Sequence, residues 1–96
     1  MKTIHKFTLN VDYDTILQLP DNAEILNVLM QNDSPCVWVR VDTDNTWKVP
    51  VKFKCVGTGE VDPGGTWKYI NTVQMYESYI SQRLVWHFFS HWNDGD

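Results

Sequence analysis

The chain has 96 residues, a formal net charge of −4 and 14 % aromatic residues, with five Trp among them. That length fits one small domain, and large rings that each bury about 150–250 Å² can build its core without disulfide staples. The acidic balance disfavours nonspecific binding to phosphate backbones, and no run approaches the ~20 apolar residues that cross a bilayer as a helix.

The first element is predicted at Thr3–Leu9, an alternating run read as an edge strand. With Met1 to Phe7 alternating polar and apolar, no continuous apolar signal region is present, and the protein is expected in the cytosol, free within the cell that makes it. A second extended run, Ile16–Pro20, is kept from helix by the proline that closes it. Glu24–Gln31 is a strand with Leu26, Val28 and Met30 sharing a face. Asn32 to Pro35 carries strong turn chemistry. Cys36–Asp42 is apolar on both faces, which predicts a central or sandwiched strand.

After the polar turn Thr43–Thr46, Val49–Val56 alternates, with Val49, Val51, Phe53 and Cys55 inward and Lys52 and Lys54 outward. A tight hairpin centred on Asn45 would set Cys36 against Cys55 and Trp38 against Phe53, so that two reduced thiols would lie side by side. Residues 57–65 form the loosest stretch, where glycines permit positive φ at a strand exit or bulge. Thr66–Tyr76 and Arg83–Trp92 are the last two strands, with Glu77–Gln82 between them. The competing reading winds Thr72–Phe89 into helix, against the crowding of Thr, Val, Tyr and Ile. In the last strand Leu84, Trp86 and Phe88 should point inward while His87 and His91 face away. Six or seven short strands at roughly 10–12-residue spacing predict one all-β domain over residues 1–92, an antiparallel sandwich or small barrel, followed by an acidic tail at 93–96.

No residues fall into a recognisable catalytic, cofactor or metal motif. Four serines, Ser34, Ser78, Ser81 and Ser90, lack a nucleophile elbow. Gly57-Thr58-Gly59 has neither the lysine–serine pair of a phosphate loop nor dinucleotide-binding spacing. On a strand His87 and His91 would share a face about 13 Å apart, too far for one metal ion. The two cysteines match no zinc spacing and are expected as thiols. The aromatics divide into a candidate core set, Trp38, Phe53, Trp86 and Phe88, and loop-adjacent rings, Tyr13, Trp47 and Trp67. Loop-tip Trp and Tyr can anchor binding surfaces or simply cap the end of a barrel.

Several segments carry a resemblance that covers nearly the whole chain. They are Lys2–Phe7, Leu19-Pro20 with Ala23–Val28, Pro35–Trp38, Val41-Asp42, Val56–Gly59, Tyr69–Thr72 and Leu84–Phe89. In order and spacing they resemble a family of short, uncharacterised domains encoded mainly by tailed bacteriophages and prophages. This chain departs from that pattern at Glu77–Gln82, where relatives often have a short glycine turn, and at Glu60, where a His is frequent. The resemblance implies origin more than activity and supplies no catalytic residues.

From origin and composition, the expectation is a noncatalytic phage accessory protein without cofactor. It would bind and inhibit a host bacterial protein, as an anti-CRISPR or other anti-defence factor does. Its partner-binding residues would be Trp47, Trp67, Asp44, Glu60 and Asp62. The alternative is a binder of a small nucleotide immune messenger, held by Tyr69, Arg83, Trp86 and His87 in an oligomer. A structural role in the phage particle, with self-association through sheet edges, is a third expectation.

Overall fold

Period-two alternation becomes strand along most of the chain. The computed structural model describes residues 1–77 and 82–92. Its strands are β1 (Lys2–Thr8), β2 (Thr15–Pro20), β3 (Glu24–Gln31), β4 (Ser34–Asp42), β5 (Lys48–Gly57), β6 (Lys68–Glu77) and β7 (Gln82–Trp92). They form a three-stranded sheet in the order β1-β4-β3 and a four-stranded sheet in the order β2-β5-β7-β6. Every pairing is antiparallel. The architecture is sandwich-like, not a closed barrel, and the predicted all-β class is borne out. The alternative helix over Thr72–Phe89 is replaced by β6 and β7, whose pairing brings Glu77 opposite Gln82. Residues 78–81 and the predicted tail at 93–96 lie outside the described residues.

The core lies where odd-numbered residues of the two central strands face each other. β4 contributes Val37, Val39 and Val41, and β5 contributes Val49, Val51 and Phe53, all buried. From β7, Phe88 is fully buried and Trp86 and Trp92 pack against the same cluster. Phe88 and Trp86 face the core as alternation predicts, while Leu84 is partly buried, as are Val85, His87 and Phe89 on the other parity.

Three expectations are corrected. The hairpin centred on Asn45 does not form, because β4 has both edges taken by β1 and β3, and β5 has both taken by β2 and β7. Residues 43–47 instead carry the chain from one sheet to the other. Cys36 therefore pairs with Thr8 and Leu29, whereas Cys55 pairs with Phe88 in the other sheet. Trp38 is not core. Its neighbours Val37 and Val39 take the inward positions, so its ring stands on the outer face of the three-stranded sheet, partly buried. Leu26 is likewise outside. The β3–β4 register shifts between Ile25 and Asn27, so Leu26 is the extra residue of a bulge and is exposed, while Ile25, Val28 and Met30 face the core.

A second bulge, between Tyr69 and Asn71 of β6, joins the two layers. It turns Asn71 toward β3, where its Oδ1 accepts the Val28 amide at 2.9 Å and its Nδ2 donates to the Val28 carbonyl at 2.7 Å. One side chain thus completes the hydrogen bonding of an edge-strand residue that is itself fully buried.

Candidate functional site

Strand order creates the most distinctive surface. β7 runs antiparallel to both β5 and β6, so β5 and β6 point the same way and residues 58–67 must cross β7. They cross over the outer face of the four-stranded sheet, where β7 presents His87, Phe89 and His91. Both ends of the crossing are fastened to histidines. Thr58 Oγ1 is hydrogen-bonded to His87 Nε2 at 2.9 Å, and Thr66 Oγ1 to His91 Nδ1 at 2.8 Å. Trp67 lies against the His91 ring with centroids 5.3 Å apart. The Lys54 ammonium sits 5.1 Å from the centre of the Trp67 ring and bonds the Asp14 carboxylate at 2.9 Å.

The loop is also built from within. The Glu60 amide donates to the Gly57 carbonyl at 3.0 Å, and the Glu60 carboxylate folds back to accept the Gly57 amide at 2.6 Å. A Cβ at position 57 would stand 2.5 Å from that carboxylate oxygen, so a larger residue there would push the end of the Glu60 side chain off the Gly57 amide. Gly59 has φ +94°, as expected of a strand exit. Asp62 Oδ1 accepts the Gly64 amide at 2.9 Å, and the Trp67 amide donates to the Gly64 carbonyl at 3.1 Å.

Between this loop and the sheet lies an open recess of about 380 Å³, lined on the β5 side by Val56 and Gly57. Its aromatic wall is Tyr69 against Phe89, edge to face, with centroids 5.7 Å apart. The Tyr69 hydroxyl bonds Thr72 Oγ1 at 2.6 Å, and Thr72 Oγ1 bonds His87 Nδ1 at 2.9 Å. Glu60 and Asp62 also line it, and among the described residues no Lys or Arg does. Behind the sheet, burial first, then the Glu60 and Asp12 charges, push the Cys55 thiol up to about 12.

The structure splits the five predicted partner residues. Glu60, Asp62 and Trp67 belong to the crossing loop. Trp47 and Asp44 sit in the connection before β5, so Trp47 is separated from Glu60 by the full run of β5, about 30 Å at 3.3 Å per residue. Trp47 is exposed. Asp44 is held by the chain's amino terminus at 2.7 Å, and that amine's pKa is raised by Asp44 and then Asp42. The Asp42 carboxyl is lowered by the Asp44 amide and then by the same ammonium. Of the alternative set, Tyr69 and His87 line the recess beside Glu60 and Asp62. Trp86 points to the core side of β7, and Arg83 is opposite Tyr76 in the part of β7 beyond the recess. The recess therefore joins part of each predicted set. Phe89 and Thr58 were absent from both sets. Phe89 shares its parity with His87 and His91, and alternation alone would have placed it outside.

Among the described residues no group of three or more His, Cys, Asp or Glu side chains is arranged to hold a metal ion, and no helix is long and apolar enough to cross a membrane. The model of one protein family, a domain of unknown function (DUF7352), matches residues 1–96. No curated protein matches the chain, and no solved structure matches it.

Proposed function

The chain belongs to the DUF7352 family, and from the surface just described, together with the resemblance to phage-encoded domains, we propose that it is a noncatalytic binding module, a phage accessory factor that docks on and blocks a bacterial host protein. The observation that carries this reading is the crossing loop. It displays acidic and aromatic side chains while its own hydrogen bonds, and those to two histidines, hold it in place. A surface ordered in advance loses less entropy on association.

The Thr58–His87–Thr72 chain has the spacing of nucleophile, base and orienting group. A hydroxyl on Nδ1, however, does not stabilise an imidazolium as a buried carboxylate does, which favours a structural role for these bonds. The nucleotide-messenger alternative is weakened by Glu60 and Asp62, whose charges repel phosphate in the recess it would use.

The test is retention of proteins from a bacterial lysate on the immobilised chain, followed by affinity measurement on the partner recovered. A saturable complex with Kd near 1 μM or below, on the order of −8 kcal/mol, is expected. Trp67→Ala should weaken it at least tenfold and Trp47→Ala should not. A complex lost through Trp47→Ala and indifferent to Trp67→Ala would place the interface at the other end of β5. A cyclic nucleotide released from the denatured protein would overturn the reading in favour of the messenger alternative.

A further inference from the structure

We propose that the recess between the crossing loop and the four-stranded sheet receives a guanidinium group, the side chain of an arginine on the partner protein. The proposal rests on the binding-module reading and names the chemistry that the module recognises.

Three features of the recess select this guest. The first is charge. Glu60 and Asp62 line it, with no Lys or Arg among the described lining residues. Lys54, on the same face, is already committed to Asp14 and the Trp67 ring, and Arg83 meets Glu60 across the adjoining recess that it lines with Leu84 and Trp86. Each carboxylate uses one oxygen on a loop amide, Glu60 on Gly57 and Asp62 on Gly64, which leaves its second oxygen as an acceptor. An anionic guest meets repulsion here, whereas a cationic one meets two carboxylates fixed before it arrives.

The second is the aromatic wall. Tyr69 is 58 % exposed, yet its ring is held at its hydroxyl by Thr72 and at its edge by Phe89. A planar cation can lie on such a face, and guanidinium is both planar and weakly hydrated. It keeps an edge of N–H donors for a carboxylate while its plane stacks. A lysine ammonium offers no plane and loses more hydration on entry.

The third is size and access. A volume of about 380 Å³ lies at the low end of ligand pockets. Glu60, Asp62 and Tyr69 are all exposed, so the recess opens outward. A side chain presented by a partner's surface fits this geometry better than an enclosed metabolite.

The experiment is an amide NMR titration of the intact chain with N-acetyl-arginine-amide and, in parallel, with its citrulline analogue, a neutral isostere. Arginine is expected to give saturable shifts at Gly57, Thr58, Gly59 and Glu60, with Kd on the order of 1–10 mM for one isolated side chain. Citrulline should bind at least tenfold more weakly. Glu60→Gln with Asp62→Asn, and separately Tyr69→Leu, should each weaken arginine at least fivefold while the rest of the spectrum stays folded. The Tyr69→Leu variant keeps the test decisive if removing the Glu60 carboxylate loosens the loop. Equal shifts with citrulline, shifts away from the recess, or no saturable shifts up to about 50 mM would overturn the proposal. Its failure is separable from that of the module. A lysate complex lost through Trp67→Ala but unchanged in the Glu60→Gln/Asp62→Asn variant leaves the module standing and removes the arginine recess.

Discussion

Cys55 shows at one residue how the acidic loop reaches through the sheet. Its thiol is half-buried on the core side of β5, and burial followed by the Glu60 and Asp12 charges raises its pKa to about 12. Because the thiolate is the reactive form, iodoacetamide at pH 8 should modify Cys55 in the folded protein at least tenfold more slowly than in urea, read by mass spectrometry of the labelled peptide. The sign of the pH dependence follows from the same shift. The unfolded thiol ionises near its ordinary value of 9.0 and the folded one resists. This contribution is whole below pH 9 and is lost as pH rises toward 12. Cys55→Ala should flatten that alkaline loss in a series of urea melts. The sequence marks Cys55 as inward by alternation alone. It cannot show that Glu60 folds back over Gly57, because that contact depends on a turn closed by the glutamate's own side chain. Glu60 and Asp62 were legible as acids near a glycine-rich exit, and His87 and Tyr69 as polar aromatics near a strand. Their meeting in one recess depends on which strand β6 pairs with, and no local pattern encodes that choice.

Strands are legible where one face is buried, since alternation records the face directly. β5 follows its pattern closely, with Val49, Val51 and Phe53 buried, and β4, apolar on both sides, is central in its sheet as expected. Connections are less legible. The turn at Asn45 has hairpin chemistry, yet it links two sheets, because β1 and β3 take both sides of β4 while β2 and β7 take both sides of β5. The true two-residue hairpin lies between β3 and β4. Gln31 pairs with Ser34, and the residues between, Asn32 and Asp33, have φ of 51° and 66°. Two consecutive left-handed residues make the turn whose twist matches its strands. Asn tolerates that region, and Asp does so less readily than Gly. Asp33→Gly should therefore raise stability by about 0.5–1 kcal/mol, with the thermal midpoint moving up by several degrees for a domain this size. An unchanged or lower midpoint would show that Asp33 contributes something the turn geometry does not reveal.

At the scale of the whole molecule, two thin sheets share one core, and the contacts between them decide whether the fold holds. Trp86 packs into that core, but its indole N–H is buried without a hydrogen-bond partner among the described residues. Trp86→Ala should cost about 3–5 kcal/mol, much of the roughly 5–10 available to a small domain, whereas His91→Ala, which frees only the Thr66 and Trp67 contacts, should stay within about 1 kcal/mol. Equal urea midpoints for the two would refute the inward placement of Trp86. The polar link at Asn71 is the sharper case. The sequence presents Asn71 as one polar residue in a strand. Only the bulge beside it turns its amide onto Val28, where one end accepts from the backbone and the other donates to it. Asn71→Leu keeps the volume and leaves a buried amide and carbonyl without partners, at about 1–3 kcal/mol for each group. Asn71→Asp separates the two halves of the link. An ionised carboxylate still accepts from the Val28 amide but faces the Val28 carbonyl with no proton to donate. Protonation restores the donor, so the aspartate's folded pKa is raised, and the variant should lose stability as pH climbs past the usual carboxylate range. Measured against the parent chain, the deficit of Asn71→Asp should be smaller at pH 4 than at pH 7, whereas that of Asn71→Leu should be the same at both. A pH-independent deficit for the aspartate would mean that water, not Asn71, satisfies the Val28 carbonyl, and that the two sheets are held by their apolar faces alone.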